Sequence, residues 1–272
     1  MVATPIGNKW DITLRALQTL QSVDWIAAED TRHSQKLLNF YGIDAKLISY
    51  HDHNEMGMAG KLAGKIQGGE SVALISDAGT PLISDPGYRL MQACVAENIP
   101  IHIIPGPSSV IAALAISGLP PIPFHFVGFL PQKGRSNKLL EWQKLEATIM
   151  FFESPMRLVE SLQKCLDVFG DVDAAIAREL TKTFEEMQRG KLSTLIAHYT
   201  AHEPRGEVTV LIDNSHPIST SATDLDGMLK KAMEFMTVKD AVETVSHEAK
   251  LPKRQVYKRA LELQKEMHGE AE

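Results

Sequence analysis

Short apolar segments alternate with amphipathic stretches along the first 118 residues of the chain. The apolar segments are rich in β-branched residues and each ends at a glycine, proline or polar turn, at residues 2–3, 24–28, 47–49, 71–76 and 101–104. Between them, apolar side chains recur three or four positions apart, as in a helix that buries one face, at residues 12–22, 34–41, 55–67 and 88–97. Strands alternating with helices of this length predict βαβ units and a mostly parallel sheet.

A proline-rich break at residues 118–123 separates this pattern from a second one, because proline continues neither a helix nor a central strand. The second pattern predicts strands at 125–130, 148–153, 174–177 and 207–213, with helices at 138–144 and 158–169. After a Ser/Thr-rich linker, only helical patterns follow, at 224–235, 238–248 and 253–267. We therefore predict an α/β protein with domains at 1–118 and 122–213 and a helix-turn-helix-like helical module at 224–272.

Composition narrows the class of protein. The 272 residues are 44% hydrophobic and 23% charged, which is typical of a globular protein. No apolar run reaches the roughly 18 residues of a membrane-spanning helix, and the N-terminus does not look like an export signal. The two cysteines, Cys94 and Cys165, form no disulfide framework, so we expect a cytoplasmic protein. The net charge of −6 excludes nucleic-acid binding by bulk charge but leaves local basic clusters open.

Three turns rich in glycine and proline follow predicted strands of the first domain, at residues 4–8, 76–87 and 105–109. Ligands of open α/β sheets bind beyond the carboxyl ends of the strands, and glycine lets the backbone approach them. None of the turns carries the glycine spacing of a dinucleotide or NTPase site. Gly106-Pro107-Ser108-Ser109-Val110 also lacks the serine-hydrolase pattern. Each turn alone could be merely a tight turn, but three in one domain predict a binding site.

In this order the turns resemble the cofactor loops of the tetrapyrrole methylases, a two-domain α/β family that binds S-adenosylmethionine between its domains. Further segments resemble the members of that family that methylate the 2′-hydroxyl of a cytidine ribose in 16S ribosomal RNA. These segments lie at residues 27–33, 51–55, 152–154, 177–182 and 206–207. The chain begins at Met1-Val2, where the family has several more strand residues before the first turn, so either the first strand is short or the given sequence lacks its natural start. The resemblance implies an RNA 2′-O-methyltransferase that acts on the small ribosomal subunit as a homodimer.

The resemblance also implies which residues hold S-adenosylmethionine. In the first domain these are Pro5, Asp77, Ala78, Gly79, Thr80, Pro81 and Ser108. In the second domain they are Phe152, Glu153, Ala177, Leu180, Gly206 and Glu207.

Two polar clusters follow predicted strands and are candidates for the catalytic residues. In the first, Asp30 and Arg32 either cap and flank a helix or face the substrate, where Arg32 would clamp phosphate and Asp30 would orient the hydroxyl. In the second, His51 and His53 either belong to a surface loop or bind substrate and accept its proton. A metal site there lacks further evident ligands, so we expect none. Which residue acts as the base stays open.

Two basic clusters are candidates for RNA contact, although the one in the helical module could instead be a solvated helix face. One is a loop with Lys133 and Arg135, expected to be flexible. The other lies in the helical module, with Lys253, Arg254, Lys258 and Arg259.

Two further functions remain open. One is a methyltransferase of the same fold that acts on a tetrapyrrole or another small molecule, although such an enzyme has no evident use for the helical module. The other is an RNA-binding assembly factor without catalytic activity.

Overall fold

A computed structural model of the chain describes residues 1–215, 222–248 and 253–269. It divides into two compact units, Met1–Ser215 and His216–Glu272. No helix of the described residues is long and apolar enough to span a membrane.

The first sheet of the larger unit is parallel and contains β1 (Trp25–Ala28), β2 (Leu47–Ser49) and β3 (Val72–Ile75) in the order β2-β1-β3. The connecting helices are α1 (Leu14–Ser22), α2 (Thr31–Phe40), α3 (Glu55–Gln67) and α4 (Tyr88–Ala96). Each strand is followed by a helix, as the alternating pattern predicts. The parallel arrangement brings the carboxyl ends of all three strands to one edge.

The predicted strand at residues 101–104 is wrong. Only Ile104 takes part in a bridge there, to Val2. The amide of Val2 donates to Leu74 O at 3.0 Å, so the first residues do lie beside β3. A single bridged residue is too short a ladder for the segment to count as a strand. Helix α5 (Ser109–Ser117) follows this segment.

The second sheet contains β4 (Phe124–Phe129), β5 (Ala147–Glu153), β6 (Asp173–Arg178), β7 (Glu186–Lys191) and β8 (Val208–Asn214), in the order β4-β5-β8-β6-β7. Only β4 and β5 pair in parallel, so the sheet is mixed. Its helices are α6 (Arg135–Trp142), α7 (Leu158–Phe169) and α8 (Leu192–Ala201). The sequence pattern did not predict β7 or α8. Strand β7 was missed because it is a polar strand at the sheet edge and has no apolar alternation.

The core of the second sheet explains why these segments form. β5 and β8 are buried along most of their length, as central strands packed on both faces. Helix α7 buries Leu158, Leu162, Cys165 and Phe169, spaced three or four residues apart, against one face. Burial raises the pKa of the Cys165 thiol, which keeps it neutral and unreactive.

The smaller unit consists of α9 (Ala222–Met233), α10 (Val238–Glu248) and α11 (Lys253–Gly269) within the described residues. Its own apolar cluster includes Leu229, Val245, Val256 and Leu263, contributed by all three helices. Three packed helices agree with the predicted helical module. The predicted turn at residues 249–252 lies outside the described residues.

The core of the second sheet predicts a large stability difference between two leucines. Leu162→Ala should lower the free energy of unfolding by about 2–5 kcal/mol, because the side chain is fully buried and leaves a cavity. Leu140→Ala, at a 48% exposed position of α6, should change it by no more than about 0.5 kcal/mol. Urea unfolding of both variants checks this; similar losses would mean that α7 does not carry the core.

Candidate functional site

Hydrogen bonds tie the three strand-end turns of the first domain to one another. Thr4 and Gly79 exchange two backbone hydrogen bonds, of 2.9 and 3.0 Å, which join the first turn to the second. The Thr80 hydroxyl lies 3.5 Å from Pro107 O in the third turn. The segments before the turns also lie side by side, since Val2 is hydrogen bonded to Leu74 of β3 and bridged to Ile104, so the three turns are adjacent.

A cavity of about 400 Å³ opens beside these turns and is closed on its other side by segments of the second sheet. Eight of its lining residues are among those that the sequence predicts for the cofactor: Ala78, Gly79, Thr80, Ser108, Phe152, Glu153, Gly206 and Glu207. Pro5, Asp77, Pro81, Ala177 and Leu180 do not line it. Ala177 and Leu180 instead pack with Ile6 in an apolar cluster.

Aromatic and aliphatic side chains form one wall of the cavity. Phe152 meets Phe129 edge to face, with ring centroids 5.3 Å apart, and also packs on Phe126 at 4.8 Å. Phe129 remains 57% exposed, and Ile83 and Val110 add apolar surface to the cavity. This wall suits the flat or apolar part of a ligand, while the turns supply peptide groups.

The turn at Gly206 is held by a neighbouring carboxylate. Glu179 Oε1 accepts the Glu207 amide at 2.9 Å and pairs with Lys182 Nζ at 2.9 Å. Gly206 has a φ of +82°, and a Cβ atom there would lie 2.3 Å from the Glu179 carboxylate. Only glycine permits both the left-handed backbone and this close approach.

The Glu153 carboxylate is already bound by the protein, although the residue lines the cavity. Its Oε1 accepts from the Ser154 amide at 2.7 Å and from Arg157 Nε at 2.9 Å, and its Oε2 accepts from the Ser161 hydroxyl at 2.5 Å. The side chain is fully buried. Glu153 therefore fixes the end of β5 with its carboxylate, and any ligand contact would come from its backbone.

The second turn contains strained backbone at Ser84, which lines the cavity, and at Leu82, which does not. Leu82 and Ser84 adopt positive φ angles of 75° and 68° without being glycine. Such angles cost free energy and persist where the surrounding structure imposes them, commonly at functional sites.

Carboxylates gather at the ends of β1, β2 and β3. Burial raises the pKa of Asp85 to about 6; a hydrogen bond from Ser76 opposes this, and the charges of Glu29, Asp77 and Asp52 add to it. Burial likewise raises the pKa of Glu29, with Asp77 contributing and His51 opposing. Asp85 lines the cavity, so its carboxyl changes charge near neutrality at the site.

Asp30 is the N-cap of α2, as the helix-capping interpretation predicts. Its carboxylate accepts the Arg32 amide at 2.8 Å and also pairs with the Arg32 guanidinium at 2.8 Å. These hydrogen bonds hold the pKa of Asp30 far below its usual range. The Asp30 amide donates to Asp77 Oδ1 at 3.1 Å, so this cluster is attached to the second turn. The Arg32 side chain is 88% exposed.

His51 and His53 lie together after β2, with ring centroids 5.9 Å apart. His51 Nδ1 is buried and has no hydrogen-bond partner among the described residues. Neither histidine lines the cavity, nor do Asp30 and Arg32. No group of three or more metal-ligating side chains in the described residues is arranged to hold a metal ion.

Three of the six predicted RNA-binding residues, Arg135, Lys253 and Arg259, have acidic partners in the described structure. Lys253 pairs with Glu243, and Arg259 pairs with Asp226, each at 2.6 Å. Lys258 is exposed, and the Arg254 side chain lies outside what the structure describes. Arg135 is not part of a flexible loop, as expected from the sequence, because it begins α6 and is only 7% exposed.

Sequence reasoning did not single out several lining residues: Ile83, Ser84, Asp85, Ser109, Val110, Phe129, Ser154, Pro155, Val208 and Thr209. The sequence could have indicated Asp85 as a site residue, since it lies in the second of the three turns predicted to form the binding site. Phe129 gave no such signal, because an aromatic residue in a strand is ordinarily assigned to the core.

The sequence matches the family Tetrapyrrole (Corrin/Porphyrin) Methylases over residues 1–196 and the RsmI C-terminal HTH domain over residues 219–264. It is 46% identical to ribosomal RNA small subunit methyltransferase I of Mesorhizobium japonicum, with 100% of this chain and 94% of the relative covered. The protein of the same name from Synechocystis is 45% identical, with 97% of each chain covered.

Solved structures share the fold at low sequence identity. Uroporphyrin-III-C-methyltransferase from Thermus thermophilus is 19% identical, with a TM-score of 0.57 over 79% of this chain and 93% of that one. Diphthine synthase is 16% identical, with a TM-score of 0.60 over 78% of this chain and 88% of that one. The turns, the two sheets and these matches agree, and the chain belongs to the tetrapyrrole methylase family.

Proposed function

We propose that this protein is an S-adenosylmethionine-dependent methyltransferase that methylates the 2′-hydroxyl of a cytidine ribose in 16S ribosomal RNA. The observation that carries the proposal is the cavity at the three joined turns, in a chain that matches ribosomal RNA small subunit methyltransferase I along nearly its whole length. The location in the cytoplasm and the homodimer remain predictions, as do the domain boundaries at residues 1–118, 122–213 and 224–272.

The cavity fits S-adenosylmethionine by its chemistry. Backbone groups of residues 78–80 and 206–207 can satisfy the polar ends of the cofactor, while Phe129, Phe152 and Val110 offer apolar surface. Pro5, Asp77 and Pro81 do not line the cavity, so they would stabilise the conformation of the turns rather than contact the cofactor. When bound, the cofactor supplies a methyl group on a sulfonium, which is a good leaving group.

The residues at the strand ends then have to orient the ribose and take up its proton. Asp30 is poorly suited to accept a proton, because Arg32 holds its pKa low, but it can orient a hydroxyl. His51 and His53 carry ring nitrogens that can accept a proton. Burial raises the pKa of Asp85 to about 6, and this residue lines the cavity, so it is a further candidate acceptor.

The helical unit favours RNA over a tetrapyrrole as substrate. It matches a domain described as helix-turn-helix, a motif that binds nucleic acids. A small-molecule enzyme would need only the residues that line the cavity.

The substrate can be tested by incubating the protein with S-adenosylmethionine labelled in the methyl group. We expect label in 16S RNA when small ribosomal subunits are present, and none in a porphyrinoid. Alkaline cleavage should stop at one nucleotide, since a methylated 2′ oxygen cannot attack the adjacent phosphate. Label on the porphyrinoid alone, or unbroken cleavage of labelled RNA, would refute the proposal.

Substitutions at the strand ends separate catalysis from helix capping. Asp30→Ala and His53→Ala should each lower turnover about tenfold or more while changing cofactor affinity little. Asp30→Asn keeps a good N-cap but removes the charge, so it should lose turnover without losing thermal stability. Turnover and calorimetric cofactor binding are measured together. Equal losses in both would indicate folding damage.

Gly206 should matter for cofactor binding. Gly206→Ala forces a Cβ atom against Glu179 and strains the backbone by about 1–3 kcal/mol. We expect the turn to shift to relieve this strain, which should weaken cofactor binding by about fivefold to 150-fold. Gly57→Ala, in α3 with nothing within 4 Å of its added Cβ, is the matched control and should bind normally. Titration of S-adenosylmethionine by calorimetry measures both; unchanged affinity in Gly206→Ala would exclude this turn from the cofactor site.

A further inference from the structure

An aromatic cluster lies on the surface beside the first turn. Trp10 follows this turn in a short 3₁₀ helix (Lys9–Asp11), and its side chain is 76% exposed. Its ring meets that of Phe40 edge to face, with centroids 5.6 Å apart, and Phe40 is itself 46% exposed. Tyr41 packs on Phe40 in the same way at 4.9 Å. Contiguous rings that remain in contact with water indicate a binding surface, since covering them in a complex is favourable.

Hydrogen bonds fix the position of this cluster. The amide of Trp10 donates to Asn8 Oδ1 at 3.1 Å, and the amide of Asn8 donates to Thr181 Oγ1 at 2.9 Å. The Tyr41 hydroxyl donates to Lys9 O, which joins the short helix to the end of α2. The rings are therefore held in place before a ligand arrives, so binding costs little additional order.

Positive charge accompanies the rings. Lys9 Nζ lies 4.5 Å from the centroid of the Phe40 ring as a cation–π pair. Arg32 and Lys36 precede Phe40 on α2 at intervals of four residues, so these exposed side chains lie along one side of the helix over roughly 12 Å. Helix α2 contains no acidic residue, although the chain as a whole has a net charge of −6.

Acidic residues near this surface leave its cations able to bind an anion. Arg32 donates to Asp30 from Nε at 3.1 Å and from Nη2 at 2.8 Å, which leaves Nη1 for a further acceptor within the part of the chain that the structure describes. Exposed pairs of this kind contribute little to stability, so a phosphate can share the guanidinium. Asp11 in the short helix is exposed and is outnumbered by Lys9, Arg32 and Lys36.

Both ends of this surface are attached to the turns that border the cavity. Helix α2 begins after its N-cap Asp30, whose amide donates to Asp77 Oδ1 at 3.1 Å in the second turn. Trp10, at the other end, follows the first turn. An RNA strand that brings a ribose to the cavity can therefore continue across α2 towards the aromatic cluster.

We propose that Trp10, Phe40 and the exposed side of α2 bind single-stranded RNA next to the nucleotide that is methylated. An unpaired base would stack on the Trp10 indole, while Arg32 and Lys36 would contact neighbouring phosphates. Aromatic rings stack on any base and cations bind the backbone, so this combination is typical of surfaces for single-stranded nucleic acid. This inference rests on the proposed function, since it takes RNA as the substrate.

The charges disfavour a second copy of the chain as the occupant. In a twofold dimer the same surface of each subunit faces its counterpart, so Arg32 and Lys36 would meet the same two cations. Like charges in an interface oppose association, whereas the phosphates of RNA complement them.

Substitutions of Trp10 test the stacking. Trp10→Ala should weaken binding of a 16S RNA fragment that carries the target nucleotide by about fivefold to 150-fold. Thermal stability should change little, because the side chain is mostly exposed. Trp10→Phe keeps a ring and should bind nearly as tightly as the wild type. Val95→Ala removes an apolar side chain that is 66% exposed on α4, and this control should bind normally.

Fluorescence shows whether the indole itself meets a base. The other two tryptophans, Trp25 and Trp142, are only partly exposed. Addition of the RNA fragment should quench the wild-type emission. Trp10→Phe should lose this quenching while it keeps its affinity, a result that a purely structural role of Trp10 would not produce.

A lysine substitution tests the phosphate contacts. Lys36→Gln should weaken RNA binding by about threefold to tenfold and reduce the salt dependence by about one ion. Lys61→Gln, at an exposed position of α3, removes the same charge from another helix. This control should leave the RNA affinity and its salt dependence unchanged.

The proposal is overturned if Trp10→Ala and Lys36→Gln bind the fragment like the two control variants. A change of oligomeric state in Trp10→Ala, measured by light scattering, would assign the surface to a second copy and would also reject it. Methylation of small ribosomal subunits by the wild type is measured in parallel. Its absence would count against the proposed function, whereas normal methylation with unaltered RNA affinities rejects only this surface.

Discussion

The two backbone hydrogen bonds between Thr4 and Gly79 are the constraint on which the candidate site depends. They join the first turn to the second, and Thr80 continues the connection to Pro107 in the third. Because peptide groups form the main bonds, the arrangement needs no particular side chain, only residues that permit the backbone path. Gly79, with a φ of +75°, meets that requirement. The turns can therefore present their remaining peptide groups to a ligand without rearrangement.

The same parallel sheet that aligns the turns also concentrates negative charge. Glu29 follows β1, whereas Asp77 and Asp85 lie in the turn after β3; burial raises the pKa of Glu29 and of Asp85, and the charge of Asp77 raises both further. Burial makes this repulsion more expensive than it would be in water. Such an arrangement opposes folding, so its presence beside the cavity agrees with a role in chemistry rather than in stability.

Sequence patterning predicted the features that depend on local periodicity. Helix α7, with its apolar face, and the parallel first sheet both follow from spacing and alternation. Strand β7 was missed because its sheet edge tolerates polar residues. The wall formed by Phe129 was missed because exposure of an aromatic ring depends on which strands lie at the edge. Ala177 and Leu180 were expected at the cofactor but lie in an apolar cluster, which only packing reveals.

Basic residues illustrate why a count of charges does not identify an RNA surface. Arg259 and Asp226 are 33 residues apart in sequence, yet they form an ion pair of 2.6 Å, so part of the basic cluster in the helical unit is neutralised locally. Arg135 is neutralised in the same way, because its buried guanidinium pairs with Glu160 at 3.0 Å. In both pairs the acidic partner lies on a different helix from the basic residue. The spacing of charges along the sequence therefore cannot show which basic side chains are available to bind RNA.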